Sequence, residues 1–168
     1  MNSKERLSTA QWVFERQLAW ISAADAKVAV VVTIDLAMLG AIGALISSAD
    51  WAAWKAAHNY WPIALAVLAT VPLGAALMYL AAAVLPKTDG PKDSLLFFGR
   101  IANLPRSDYV ERLMKASDDD LLRDWGDQIH RNAEVACGKF SNVQSGMRAS
   151  FIAIMFWVPA IIALLNKA

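Results

Sequence analysis

The sequence predicts an all-α integral membrane helical bundle, with three transmembrane helices and a cytoplasmic helical segment between the second and the third. Hydrophobic residues make up 57% of the 168 residues and charged residues only 18%, against about 45–50% and about 25% in ordinary soluble domains. The excess lies in three blocks, at residues 28–48, 62–85 and 149–166, each long enough to cross ~30 Å of hydrocarbon as a helix. No segment shows the apolar–polar alternation of a β-strand.

Two other interpretations of the apolar blocks fit the sequence less well. In a soluble protein all three would be buried helices, but a chain of this length has too little further protein to surround them. In a cleaved signal peptide the apolar core has about 7–15 residues, whereas residues 28–48 are longer and follow 27 mostly polar residues. Pro72 and Pro159 lie inside the second and third blocks, which indicates helices that pack against neighbours.

Basic residues predict the orientation of the three spans. Four Lys or Arg residues lie in residues 1–27 and ten in residues 86–148, against Lys55 alone in residues 49–61 and Lys167 alone after the third block. Since cytoplasmic loops are enriched in Lys and Arg, we expect the N-terminus and residues 86–148 in the cytoplasm. The 49–61 loop and the C-terminus then face outside, and the loop is rich in aromatic residues typical of the headgroup layer, namely Trp51, Trp54, Tyr60 and Trp61.

Residues 1–27 form a predicted amphipathic helix that continues into the first span. Leu7, Trp12, Leu18 and Ile21 recur at helical intervals, and neither Pro nor Gly occurs before Gly40. An amphipathic anchor that lies on the membrane surface is the alternative.

Helix caps organise the predicted cytoplasmic segment, residues 86–148. Ser107 can cap a short helix that follows Pro105, and Ser117 can cap a longer helix that runs into the third span. The three aspartates at residues 118–120 fit the positive end of that longer helix better than they fit a metal site.

An apolar stripe along the longer helix predicts contact with another helix, in the same or a neighbouring subunit. Its members step by three or four residues, and they are Leu122, Trp125, Ile129, Ala133, Ala136, Phe140, Val143 and Met147. We expect Trp125, Ile129 and Phe140 at an oligomer interface. In the first span, Gly40 and Gly43 lie on a face of small residues that permits close helix approach, so they are expected at the same kind of interface.

The chemistry of the side chains points to a non-enzyme without a metal or cofactor. The sequence has no phosphate-binding glycine loop of the Walker or Rossmann type, no HExxH, no GxSxG and no CxxC. One cysteine, Cys137, and two distant histidines, His58 and His130, offer little to a metal. A formal charge of +1 gives no basic field for nucleic acid.

Asp35 is the most anomalous residue, because it lies roughly 12 Å into the first span at 1.5 Å per residue. A carboxylate at such a depth is costly and usually faces the bundle interior or water. Asp35 is therefore either a pore-lining or gating residue, or a hydrogen-bonded structural group. Thr33, Thr70 and Lys27 are the candidate partners.

Three stretches resemble the Pycsar-type transmembrane effectors (PycTM family), in sequence and in position relative to the spans. They are WISAADAK at residues 20–27, SLLFFGRIANLPRSDYVERL at 94–113 and DLLRDWGDQIHRNAEVACGKF at 120–140. The resemblance covers about residues 12–166. It implies a bacterial antiphage effector of the inner membrane that responds to a cyclic nucleotide of the cCMP or cUMP class, made by a partner cyclase. Such an effector oligomerises in the lipid bilayer and impairs membrane integrity, which aborts the infection.

The sequence leaves no room for a separate β-roll nucleotide-binding domain, so a nucleotide would bind the helical cytoplasmic part or a partner protein. Lys92 or Arg100 could pair with the phosphate, Phe97 or Phe98 could stack on the base, and two residues at the start of the first span, Asp25 and Lys27, could join them. In the structural alternative the two phenylalanines fill a helix junction. The alternative function is a non-conducting membrane scaffold, or accessory subunit, that recruits a partner through its cytoplasmic helix.

Overall fold

Five helices account for most of the chain in a computed structural model, which describes residues 1–49, 60–87 and 89–166. They are α1 (Ser3–Ser47), α2 (Trp61–Val84), α3 (Phe98–Ile101), α4 (Arg106–Lys115) and α5 (Asp118–Leu165). The described residues contain no β-strand, so the all-α prediction is confirmed for them. Most of the predicted external loop, including Trp51 and Trp54, lies outside the described residues.

Three helices, α1, α2 and α5, are long and apolar enough to cross a membrane. The first of them, α1, runs unbroken for 45 residues from its polar start into its apolar half. The longest helix, α5, has 48 residues and likewise continues from a polar first part into an apolar second part. Pro72 and Pro159 lie inside α2 and α5.

The chain divides into two compact units. The helices α1 and α5 each contribute one part to the first unit and another part to the second. We call Met1–Ala24 with Leu85–Lys139 the polar unit, and Asp25–Val84 with Phe140–Ala168 the apolar unit.

The apolar unit has a core of small and branched side chains from α1, α2 and α5. One buried cluster contains Met38, Ile42, Ala66, Ala69, Leu73, Ala153 and Leu164, and a second contains Val28, Leu80, Ala83 and Val143. Gly146 of α5 packs tightly against α2, since a Cβ there would lie 2.7 Å from Cγ of Leu80 and 3.3 Å from the carbonyl oxygen of Ala76. Small residues bring helices together in this way because packing drives their association in lipid.

A hydrogen bond from a tryptophan also joins α5 to α1 in the apolar unit. Trp157 Nε1 donates to the carbonyl oxygen of Met38 at 2.9 Å. Because a buried indole N–H needs an acceptor, this bond fixes the rotation of one helix against the other.

The beginning of α5 is capped as the sequence predicts. The backbone amide of Asp120 donates to Ser117 Oγ at 3.2 Å, and the backbone amide of Ser117 donates to Asp120 Oδ2 at 3.0 Å. Such a reciprocal pair satisfies two amides that the helix leaves unbonded. The hydrogen bonds from Ser117 lower the pKa of the Asp120 carboxyl.

The predicted cap of α4 is wrong. This helix begins at Arg106 after Pro105, which makes no side-chain capping bond. Ser107 is already inside the first turn, where its hydroxyl donates to Asp108 Oδ1 at 3.0 Å. The fixed φ of proline favours a helix that starts at the next residue, so the cap lies two residues earlier than the preference for serine indicates.

Candidate functional site

One carboxylate holds the start of the loop that leads to α3 in the polar unit. Asp124 on α5 accepts hydrogen bonds from the backbone amides of Leu95, at 2.6 Å, and Leu96, at 3.2 Å. Successive amides that point at one carboxylate make short, charge-assisted bonds. The position of this loop therefore depends on α5.

Ser94 is the second anchor of this loop and is itself buried. Its Oγ accepts hydrogen bonds from the backbone amides of Leu96, at 3.0 Å, and Phe97, at 2.8 Å. It also accepts one from Nε2 of buried Gln128 on α5, at 2.9 Å. This serine turn leads the chain into α3, so it positions the two phenylalanines and the arginine that follow.

Arg131 makes the third connection between α5 and the preceding loop. Its Nε donates to the carbonyl oxygen of Asp89 at 3.1 Å, and its Nη1 donates to Glu134 at 2.9 Å. On α1, Phe14 packs edge-on against Trp125, with ring centroids 5.1 Å apart. The polar unit is thus held by hydrogen bonds between α5 and the loop and by an aromatic contact between α5 and α1.

Phe97 and Phe98, the predicted base-stacking residues, occupy different environments. Their ring centroids lie 4.8 Å apart. The Phe97 ring covers Gly90 and Gly99, where an added Cβ would come within 2.5 Å and 2.7 Å of ring atoms, which agrees with the structural alternative for this residue. The side chain of Phe98 is 68% exposed and is available to a ligand.

The predicted phosphate-binding residues also differ. Arg100 is half-buried in α3, and its buried Nε has no hydrogen-bond partner among the described residues. Lys92 is exposed and lines a cavity of about 420 Å³ together with Arg123. Asp25 is half-buried and Lys27 exposed, and both belong to the apolar unit, whereas the other four predicted residues belong to the polar unit.

The charge of the 420 Å³ cavity does not favour a phosphate. Two basic residues line it, against four acidic ones, Asp93, Asp120, Asp124 and Asp127. An anionic ligand would meet a net negative lining there. The described residues contain no group of three or more His, Cys, Asp or Glu side chains that could hold a metal ion.

Asp35 is buried in the apolar unit, with only 1% of its surface exposed. Its Oδ2 accepts a hydrogen bond of 2.8 Å from the hydroxyl of Ser150 on α5. Thr33, one of the predicted partners, instead donates to the carbonyl oxygen of Ala29 in its own helix. Asp35 on α1 is thus hydrogen-bonded to α5.

The predicted interface residues are not equally available. No atom of the described residues outside the local helix lies within 4 Å of a Cβ added at Gly40 or Gly43, so this face of α1 is open. Phe140 is 44% exposed. Trp125 and Ile129 are half-buried, and the Trp125 ring already packs against Phe14 in the same chain.

The residues that position the loop and the buried acid were not predicted from the sequence: Ser94, Asp124, Gln128 and Ser150. These polar residues form contacts between positions 28 to 115 residues apart in the chain. No local pattern reports such pairs. One signal existed for Ser150, because a serine just inside an apolar span is a natural partner for an acid in another span.

Comparison with known proteins gives one positive finding. The family model PycTM, described as the Pycsar effector protein domain, matches residues 9–166. No curated protein and no solved structure matches the chain. The match includes all the described helices from the second turn of α1 onward and confirms the resemblance carried by the three stretches. The chain therefore belongs to the PycTM family of Pycsar effector proteins.

Proposed function

We propose that this chain is the membrane effector of an antiphage system, which responds to a cyclic nucleotide, oligomerises and impairs the integrity of the inner membrane. The observation that carries the proposal is the family match over residues 9–166. It is supported by three helices of membrane-spanning length and composition. A non-enzymatic effector fits both findings, since its output is a change in the membrane rather than in a substrate.

In the proposed topology, residues 28–48, 62–85 and 149–166 span the bilayer. Residues 1–27 and 86–148 lie in the cytoplasm, because they contain 14 of the 16 basic residues. The 49–61 loop and the C-terminus lie outside. This arrangement exposes residues 86–148, the proposed sensor and oligomerisation segment, to a nucleotide made in the cytoplasm by a partner cyclase.

Arg100 and Phe98 are the strongest candidates for direct contact with the nucleotide. The unbonded Nε of Arg100 can donate to a phosphate oxygen, and the exposed ring of Phe98 can stack on a base. Lys92 and Phe97 are weaker candidates, because acidic residues surround the first and the ring of the second covers two glycines. Asp25 and Lys27 are proposed ligands at the start of the first span. The ligand class is a cyclic nucleotide such as cCMP or cUMP.

Transmission of the signal follows from the continuity of α1 and α5, each of which contributes to both units. We expect nucleotide binding in the polar unit to shift both helices between two arrangements. Neighbouring chains would then associate through the open face at Gly40 and Gly43 and through Trp125, Ile129 and Phe140. Asp35 would act as the gating residue, because its bond to Ser150 links the two helices that move.

The test is dye release from liposomes that contain the purified protein. We expect cUMP or cCMP to accelerate leakage, while cAMP and buffer alone do not. Arg100→Gln should raise the nucleotide concentration needed for half-maximal leakage by roughly 10- to 100-fold, the loss expected for a charged hydrogen bond. Arg106→Gln is the matched control, because this exposed arginine lies on α4 and should leave the response unchanged. Leakage that no pyrimidine cyclic nucleotide alters would contradict the proposal.

Asp35→Asn separates this function from the scaffold alternative. The substitution removes the charge but keeps a carbonyl that can accept the bond from Ser150. In the effector we expect an altered leakage rate at saturating nucleotide. In a scaffold no leakage occurs in either protein, and the variant captures the same partner as the wild type.

A further inference from the structure

A cavity of about 140 Å³ lies beside the buried acid of the apolar unit. Apolar side chains of α1 and α5 line it, among them Val31, Ile34, Met147 and Ile154, and its remaining lining includes Asp35 and Ser150. Ile34 and Ile154 are also partly exposed on the outer surface of the chain. In a bilayer the cavity would therefore be reached from the lipid side.

One oxygen of Asp35 is left without a hydrogen bond. Its Oδ2 accepts from Ser150, whose hydroxyl also lies 3.2 Å from the carbonyl oxygen of Gly146 and has a single hydrogen to give. The other oxygen, Oδ1, is buried and has no hydrogen-bond partner among the described residues. A buried acceptor without a donor is costly, so a donor that enters the cavity would relieve that cost.

The size and lining of the cavity select the ligand. A dry apolar cavity of about 150 Å³ holds one benzene ring, and this one is nearly as large. A single water takes up about 30 Å³ and would find only two polar partners, the carboxyl and the hydroxyl, so it would leave most of the apolar space empty. A lipid acyl chain would fill the space but has no donor.

We propose that this cavity binds a small lipophilic molecule, about one aromatic ring in size, that donates a single hydrogen bond to Oδ1 of Asp35. The proposal depends on the apolar unit alone and not on a nucleotide response. A bound molecule would contact α1 through Val31 and Ile34 and α5 through Met147 and Ile154. It would therefore favour the arrangement in which these two helices are paired.

Benzyl alcohol and toluene are the matched probes, because they share a ring and differ in the hydroxyl donor. Binding to the full-length protein in deuterated detergent is measured by saturation-transfer NMR from protein methyl groups to the ring protons. We expect saturable binding of both, with benzyl alcohol about tenfold tighter than toluene after correction for partition into empty micelles. In Asp35→Leu, which lacks the acceptor, the two affinities should become equal.

Ile154→Trp tests the cavity while it leaves the acid in place. The larger side chain should fill the space and abolish saturable binding of both probes, even if Asp35→Leu fails to fold. Ile152→Trp is the matched control, since Ile152 is exposed on the same helix and does not line the cavity. Three results would overturn the proposal: binding that does not saturate, equal affinities in the wild type, or binding that survives Ile154→Trp.

Discussion

The interactions inside the apolar unit differ from those inside the polar unit, although α1 and α5 contribute to both. In the apolar unit the contacts are between small and branched side chains, with two side-chain hydrogen bonds across α1 and α5. In the polar unit, side chains of α5 hold the backbone of a loop through Asp124, Ser94 and Arg131. The difference reflects the two solvents proposed for them.

In lipid, no hydrophobic driving force brings helices together, because an apolar side chain is as well solvated by lipid tails as by another helix. Close packing and a few polar contacts therefore decide which helix faces meet. In water, a short loop with little apolar surface depends on hydrogen bonds to a helix that is already formed. The apolar unit should therefore be most sensitive to shape, and the polar unit to the loss of charge or of an acceptor. Three substitutions test this contrast.

The largest expected effect is that of Gly146→Val in the apolar unit. A Cβ at this position would lie 2.7 Å from Leu80 and 3.3 Å from the backbone of α2. We expect the free energy of unfolding to fall by about 3 kcal/mol, as in overpacked cores. The measurement is reversible unfolding in detergent, followed by circular dichroism.

Gly74→Val is the control for shape. Gly74 lies on α2, and nothing among the described residues is within 4 Å of an added Cβ. We expect a change within about 0.5 kcal/mol, because valine has a slightly better helix propensity than glycine. Equal destabilisation by the two variants would show that packing of α5 against α2 is not what Gly146 provides.

In the polar unit, Asp124→Ala should have the next largest effect. It leaves the part-buried amide of Leu95 without its acceptor, at a cost of about 2 kcal/mol for a charged partner. The amide of Leu96 loses one of its two acceptors and keeps Ser94 Oγ. We expect roughly 30-fold faster amide hydrogen exchange at Leu95, at about 1.4 kcal/mol per tenfold, and a smaller increase at Leu96. Asp127→Ala, at an exposed position that lines the same cavity, should leave their exchange unchanged. Similar amide exchange rates in both variants would contradict the conclusion that Asp124 anchors the loop.

The smallest effect concerns the cap of α5 and depends on pH. The hydrogen bonds from Ser117 lower the pKa of Asp120 in the folded chain, so this cap stabilises the helix above the ordinary pKa of aspartate, about 3.9. The contribution is lost as pH falls through the lower folded pKa. Asp120→Asn should therefore reduce helix content slightly at pH 6, and the difference from wild type should vanish in strong acid. Circular dichroism between pH 6 and pH 2 measures the helix content of the wild type and the variant, with Asp119→Asn as the control. A difference that persists in strong acid would contradict the assignment.

Much of the fold could be predicted because it depends on local features. The three apolar helices follow from the length and composition of their blocks, and the cap at Ser117 follows from serine before an acidic first turn. The start of α4 was harder to predict, because Pro105 and Ser107 both favour a nearby helix start. Only the backbone conformation in the folded chain shows which of them precedes the helix.

Less of the candidate site could be predicted, because its contacts are between distant parts of the chain. Asp35 stood out as an acid in an apolar block, but its partner Ser150 is 115 residues away. Phe97 and Phe98 could not be separated by sequence, although one ring covers two glycines and the other is exposed. Phe97 lies just before α3 and Phe98 is its first residue, and the surrounding loop decides which of the two rings is covered.

The sequence by itself determined the three membrane-length helices and the family, because composition, periodicity and local motifs are properties of contiguous residues. Only the tertiary structure decided that Ser150 holds Asp35, that Asp124 anchors the loop before α3, and that Gly146 rather than Gly40 or Gly43 lies against another helix. The physical reason is that hydrogen bonds and steric contacts depend on distance in space. Residues far apart in the sequence meet only after the helices have packed.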